Sequence, residues 1–181
     1  YLSTINRQIK DIENLVNEFS NFARMPRPIF KKISIIDVIN RSVDLMLHTS
    51  KSNIKIKTVE KILYINGDAE QLNRVFINLI KNSEESLMDM TEKNPNFKGL
   101  IDIEIISNND YIVVRLTDNG TGISDTKKAM TPYFTTKKKG TGLGLPIVNK
   151  IIIEHSGDFS IKNKEGENGI IIETSFPKIN A

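Results

Sequence analysis

The sequence contains no cysteine. Disulfides, zinc–thiolate sites, iron–sulfur clusters and thiol catalysis are therefore excluded. It has only two histidines, His48 and His155, too few for most histidine-built metal sites. No stretch approaches the roughly 18 consecutive apolar residues that a membrane helix needs, so no span and no membrane contact are expected in this chain. A strong charge imbalance is missing as well. The 25 basic and 22 acidic residues leave a net charge of +3, much weaker than a nucleic-acid binder usually shows. No nucleic-acid partner is expected. Internal repeats and low-complexity tracts are also lacking. What remains is a globular composition, 39% hydrophobic and 26% charged, over 181 residues. That length suffices for one sizeable core and is too short for two ordinary domains and a linker. The chain opens at Tyr1 without Met and without a signal peptide, and it reads as a piece of a larger protein.

The first segment is strongly periodic. Leu2, Ile5, Ile9, Ile12, Val16, Phe19 and Ala23 follow the alternating 3,4 spacing of a heptad, with Leu15 and Phe22 widening the stripe. A lone helix with such a stripe exposes it to water, so it calls for a partner helix. Pro26 and Pro28 end the helix near Met25. The expected organisation is a helix over 1–25, a short stiff linker over 26–31 and one domain over 32–181.

That domain alternates in type. Ile36 to Leu47 reads as a helix, and Ile54–Lys57 and Ile62–Ile65 read as short strands around a turn. Asp68 can cap a helix reaching about Asp89, with Leu72, Val75, Phe76, Leu79 and Ile80 on one face. Ile101–Ile106 and Tyr111–Thr117 alternate as strands, and Asn108-Asn109-Asp110 between them marks a hairpin. A segment rich in Gly, Thr and Lys, 119–142, carries no regular pattern; so long a stretch in a compact domain reads as a functional lid. Leu143 to His155 is helical, with Pro146 suiting its first turn, and two closing strands follow, Asp158–Lys162 and Gly169–Phe176. Helices with mostly hairpin-linked strands indicate an α+β two-layer sandwich.

Three clusters carry chemistry. Asn78 and Asn82 lie four apart, on one face of their helix. A carboxamide oxygen suits Mg²⁺, which keeps waters and shares phosphate oxygens. Two exposed asparagines would look the same. Asp118-Asn119-Gly120-Thr121-Gly122-Ile123 ends a strand and opens the long loop. Its glycines allow a tight turn and the approach of a flat ligand, and its carboxylate can accept from an exocyclic amine. Gly140-Thr141-Gly142-Leu143-Gly144-Leu145 opens the last helix, where exposed amides attract phosphate. It is not a Walker loop, because Gly-Lys-Ser/Thr is missing, nor a Rossmann fingerprint, because no strand leads directly into it. Lys137-Lys138-Lys139 just before it can neutralise a polyphosphate.

In order, the chain shows Asn78…Asn82, Asp118-x-Gly120-x-Gly122, Pro132-Tyr133-Phe134-Thr135-Thr136-Lys137 and Gly140-x-Gly142-x-Gly144. These resemble the N, G1, F and G2 boxes of sensor histidine kinases, within the gyrase/Hsp90/histidine-kinase/MutL superfamily. The resemblance covers the chain from about residue 30 onward. Glu18-Phe19-Ser20-Asn21-Phe22-Ala23-Arg24-Met25-Pro26-Arg27-Pro28 looks like the end of the second dimerisation helix in nitrogen-regulation kinases of the NtrY/NtrB type.

The resemblance implies a Bergerat ATP-binding fold, a mixed sheet covered by helices on one face, preceded by one long dimerisation helix. It implies ATP and Mg²⁺ as cofactors, with Asn82 the metal ligand and Asn78 beside the nucleotide. Asp118 would bond the adenine amino group, Gly120, Gly122 and Ile123 would shape its pocket, and Phe134 would pack the lid. Thr141, Gly142, Leu143, Gly144 and Leu145 would lie at the phosphates with Lys137. Implied partners are a response regulator and a second copy through the dimerisation helices; the implied location is cytoplasmic, in a parent protein anchored in the inner membrane. Hydrolysing relatives carry Glu where Asn78 stands, and Asn is no carboxylate base, which favours phosphotransfer. Glu84 and Glu85, close behind Asn82, are expected to point elsewhere.

Two departures stand out. Neither His48 nor His155 has the acidic neighbour that follows a phosphoacceptor, so both are read as structural, His155 being favoured by its helix C-terminus. The last glycine box, Gly166-Glu167-Asn168-Gly169, has altered spacing, and Ile170 and Ile171 stand where many relatives have Thr. Two alternatives share the site: an anti-sigma-type serine kinase, opposed by the heptad helix, and a non-catalytic nucleotide-binding scaffold, opposed by the intact boxes.

Overall fold

The structure is a computed structural model, and it describes residues 4–6, 9–10, 12–13, 16, 20, 25–47, 52–137 and 140–179. The described positions between 4 and 20 are helical, and Ile5, Ile9, Ile12 and Val16 along them are exposed. Leu2, Leu15, Phe19, Phe22, Ala23, His48, Lys138 and Lys139 lie outside the described residues. Residues 25–30 have no regular structure.

The domain runs β1 (Lys31–Ser34), α1 (Ile35–Leu47), β2 (Asn53–Thr58), β3 (Tyr64–Gly67), α2 (Ala69–Lys93), β4 (Leu100–Ser107), β5 (Tyr111–Asp118), α3 (Thr126–Ala129), α4 (Gly144–Glu154), β6 (Asp158–Asn163) and β7 (Ile170–Pro177). Five strands form one sheet in the order β2-β4-β5-β7-β6. Only β2–β4 is parallel; the other neighbours are antiparallel. Strand alternation aims Ile101, Ile103 and Ile105, then Ile112, Val114 and Leu116, then Ile170, Ile172 and Phe176 into the core. Against them pack Leu72, Val75, Phe76, Leu79, Ile80 and Leu87 of α2, Ile39 and Val43 of α1, and Val148, Ile151 and Ile152 of α4. The opposite face of the sheet is charged: Arg115 bonds Glu173 at 2.7 Å and Glu104 at 3.1 Å. The result is the expected α+β sandwich, with helices on one face of a mixed sheet.

Two expectations are corrected. β2 and β3 do not pair with each other around a turn. β3 pairs with β1, whose single apolar residue Ile33 gave no strand signal, and β2 pairs with β4 across a crossover containing α2. The lid is not wholly irregular, because α3 lies within it, capped by Asp125.

α2 runs beyond Asp89 to Lys93, and its start is as expected. The Asp68 carboxylate accepts from the amides of Glu70 and Gln71 at 3.0 and 3.1 Å, a cap worth about 1 kcal/mol. Its other oxygen accepts from Ile29 N–H at 2.8 Å, and the Gln71 side chain donates to Pro26 O at 2.9 Å. The segment 25–30 is thus tied to the first turn of α2.

Candidate nucleotide-binding site

The alternation that buries Ile112, Val114 and Leu116 continues to Asp118, which ends β5 on the same face. A carboxylate therefore closes an apolar stripe, 1% exposed. Burial of a charge is tolerated only with bonded oxygens. Oδ2 accepts from Ser83 Oγ at 2.7 Å, and Oδ1 from Gly120 N–H at 2.9 Å. Ser83 is itself fully buried on α2, four residues past Leu79 on the core face. The sequence reading did not single it out.

The loop after Asp118 is pinned from two sides. Thr121 N–H donates to Ser86 Oγ at 2.9 Å, and a Cβ on Gly120 would lie 2.3 Å from that oxygen. Asn163, at the end of β6, clamps Ile123 through both main-chain groups at 2.8 Å, accepting from N–H and donating to C=O. Neither Ser86 nor Asn163 was marked by spacing or motif. A cavity of about 610 Å³ opens beside this loop, lined by Gly122, Ile123, Thr136, Asn163 and Gly169 among others; Asp118, Asn78 and Asn82 do not line it.

One helical turn separates Asn78 from Asn82 on α2, facing the start of α4. A Cβ on Gly144 would lie 3.6 Å from Asn78 Oδ1 and 3.8 Å from Asn82 Nδ2. Asn78 donates to Arg74 O at 2.9 Å. α4 begins at Gly144, its N-cap Leu143 makes no side-chain cap bond, and Pro146 brings no N–H of its own. Leu143 is fully buried, so its side chain serves the core and only its backbone faces the site; Leu145 also packs against the core. The loop before α4 folds back against this helix start. Tyr133 N–H donates to Gly142 O at 3.1 Å, with Tyr133 and Gly142 both left-handed at φ 67° and 70°. A Cβ on Gly142 would come within 2.6 Å of Phe134 O.

Lys137 reaches further than expected. Its ammonium donates to Asn82 Oδ1 at 3.1 Å and also pairs with the Glu85 carboxylate. Glu85 therefore shares the face of Asn82, correcting the expectation that it points away. Glu84 turns the other way, accepting from Ser52 Oγ at 3.1 Å.

His155 caps the C-terminal end of α4 and is held through both ring nitrogens. It is 4% exposed, accepts from Asp68 N–H through Nε2 at 2.9 Å, and lies edge-on to Phe30. Nδ1 is 2.7 Å from Ile151 O, so the neutral Nδ1–H tautomer satisfies both contacts. Burial pushes its pKa below 6.5, outweighing the Ile151 bond and the nearby Asp68 and Glu154 charges.

An open mixed sheet under three helices, with a buried carboxylate bonded to Ser83 of α2 and paired carboxamides on the same helix beside a glycine-opened helix start, defines an ATP-binding domain of the α/β-sandwich class. Residues 67–179 match the model of the histidine kinase-, DNA gyrase B- and HSP90-like ATPases, and the chain belongs to that family. Within it, the chain is similar to sensor histidine kinases. It is 39% identical over 180 residues to an NtrY-like sensor histidine kinase of Rickettsia conorii, covering 94% of this chain and 28% of that one. It is 33% identical over 164 residues to nitrogen regulation protein NtrY of Azorhizobium caulinodans, covering 88% of this chain and 21% of the relative. The nucleotide-free catalytic domain of histidine kinase ThkA superposes with a TM-score of 0.71 at 28% identity, over 83% of this chain and 96% of that one. No helix among the described residues is long and apolar enough to cross a membrane.

Proposed function

We propose that this chain binds ATP with Mg²⁺ and transfers its γ-phosphoryl group to a histidine on a first dimerisation helix of the parent kinase. The phosphoryl group then passes to a response regulator. ThkA, in its complex with the response regulator TrrA, shares the fold over 99% of this chain, at a TM-score of 0.76 and 24% identity. Residues 1–25 are the second dimerisation helix, 26–31 the linker and 32–181 the catalytic domain, in a homodimeric parent anchored at the cytoplasmic side of a membrane.

The observation that carries this reading is the buried Asp118, bonded through Ser83 to α2, the helix whose Asn78 and Asn82 lie beside the start of α4. Asp118 accepts the adenine amino proton. The Gly120–Ile123 loop walls the base, with Ser83 and Ser86 holding carboxylate and loop in place. Amides of Gly142, Leu143, Gly144 and Leu145 and the Lys137 ammonium meet the phosphates; Thr141 and Phe134 seat the lid. An imidazole nitrogen of the acceptor attacks the γ-phosphorus as its bond to the β–γ bridging oxygen breaks, releasing ADP. Asn78 offers no carboxylate to activate water, so hydrolysis is not assisted. Positioning and charge stabilisation suffice for phosphoryl transfer.

The residues present fit a divalent cation. Asn82 Oδ1 already faces a cation, the Lys137 ammonium. No group of three or more His, Asp or Glu that could hold a metal occurs among the described residues, so the phosphates must complete the shell. Mg²⁺, when bound, neutralises charge developing on the phosphate oxygens. The test is calorimetric titration with ADP and Mg²⁺. Asp118→Ala is expected to lose about 1.5–3 kcal/mol, as for a hydrogen bond to a charged group. GDP should bind much more weakly than ADP, and unchanged ADP affinity in Asp118→Ala would defeat the assignment.

A further inference from the structure

The nucleotide reading gives Glu85 no role, yet Glu85 and Asn82 hold one cation between them. They lie three apart on α2, a spacing that stacks side chains on one face. The Lys137 ammonium donates to the Asn82 carboxamide oxygen at 3.1 Å and pairs with a Glu85 oxygen. This is a cation position built from one neutral and one anionic oxygen. Both side chains of the ion pair are partly solvated, 37% exposed for Lys137 and 40% for Glu85, so the pair is cheap to break. Lys137 belongs to the irregular loop between α3 and α4, whereas both oxygens belong to a 25-residue helix fixed by its buried face. The other acidic groups nearby are committed: Glu84 to Ser52, and Asp118 to Ser83 and Gly120.

We propose that Glu85 is a second oxygen donor for the nucleotide's divalent cation, and that Lys137 holds this position until the cation arrives. Mg²⁺ demands oxygen donors and binds through one or two protein groups plus phosphates. A neutral carboxamide alone holds a dication weakly; an adjacent carboxylate supplies the missing charge. When the metal takes the Asn82–Glu85 pair, the released ammonium is free to meet the phosphates. The same exchange links metal entry to lid position. Without metal, Glu85 repels the phosphates, so its effect on nucleotide affinity changes sign with Mg²⁺.

The inference rests on the nucleotide reading, and one set of titrations separates the two. ADP is titrated by calorimetry into the wild-type chain, Glu85→Gln, Lys137→Met and the double variant, once with Mg²⁺ and once with EDTA. Glu85→Gln should weaken binding about ten-fold with Mg²⁺ and leave it equal or tighter with EDTA. The ten-fold loss should persist in the Lys137→Met background. Equal losses in Mg²⁺ and EDTA, or no loss in either, overturns the metal role. Loss that vanishes once Lys137 is gone makes Glu85 a tether for the lid lysine and nothing more. If the wild-type chain binds no ADP under either condition, the nucleotide reading falls and this inference with it. Glu85 is surface-accessible and isosteric with Gln, so circular dichroism should show an unchanged fold.

Discussion

A methyl group at position 169 would lie 2.0 Å from the Asp118 carbonyl oxygen, and φ there is +113°. Both the space and the backbone therefore demand glycine. The β6–β7 turn passes directly over the end of β5, so this one hydrogen helps hold Asp118 where Ser83 and Gly120 can bond it. Gly166, in the same turn, is also left-handed at φ +72° but has nothing within 4 Å of its Cβ position. The pair makes a controlled comparison. Gly169→Ala is expected to destabilise by about 3 kcal/mol, adding overpacking to backbone strain. Gly166→Ala carries only the left-handed penalty, about 1 kcal/mol. Urea unfolding of both variants checks this; equal losses would mean the close approach at residue 169 has no energetic weight. The altered spacing of this glycine box was visible in the sequence, but which of its two glycines matters depends on a contact with a strand fifty residues away.

At the scale of elements, local signals were legible and pairings were not. The Asp68 cap and the apolar face of Leu72, Val75, Phe76 and Leu79 located α2, because both signals lie within one helix. The Asn108 turn located the β4–β5 hairpin, and there the Asn108 side chain accepts from Asp110 N–H at 2.9 Å. The parallel β2–β4 pair was missed, since nothing local in Ile54-Lys55-Ile56-Lys57 names a partner across a crossover. Glu85 was missed differently: its i, i+3 relation to Asn82 was present, but Lys137, which gathers both, arrives from the lid. His155 ties elements together in a way no periodicity announces, joining the end of α4 to the first amide before α2 and to Phe30. The sign of its pH effect follows from burial. Its folded pKa lies below 6.5, so the unfolded chain takes up a proton that the folded one resists. The stability is fully present above about pH 6.5 and falls as pH drops from there towards the depressed value, by at most about 1.4 kcal/mol per pH unit. Unfolding free energies measured between pH 7.5 and 5.5 should therefore slope less in His155→Gln than in the unaltered chain. Parallel slopes would mean that His155 titrates alike in both states.

At the scale of the whole molecule, the proposed reaction makes the chain one part of a phosphotransfer system. It spans 28% and 21% of the two curated relatives described above, and the exposed Ile5, Ile9, Ile12 and Val16 form an apolar stripe suited to partner helices. The chemistry requires an imidazole nitrogen with a free lone pair that can approach the γ-phosphorus. His155 cannot supply one: Nε2 accepts from Asp68 N–H, Nδ1 is committed to Ile151 O, and the ring is 4% exposed. His48, outside the described residues, stands in Leu47-His48-Thr49 without the acidic neighbour of an acceptor. Incubated alone with γ-labelled ATP and Mg²⁺, the chain should therefore take up no acid-labile label. Adding a helix pair that carries an acceptor histidine followed by an acidic residue should restore labelling, confined to the added partner. Asp118→Ala should reduce that labelling through nucleotide affinity and be partly rescued by raising ATP. Acid-labile phosphate mapped to His48 or His155 would show that the chain carries its own acceptor. Failure to label the partner at saturating ATP, with ADP binding intact, would leave a nucleotide-binding scaffold and remove the kinase.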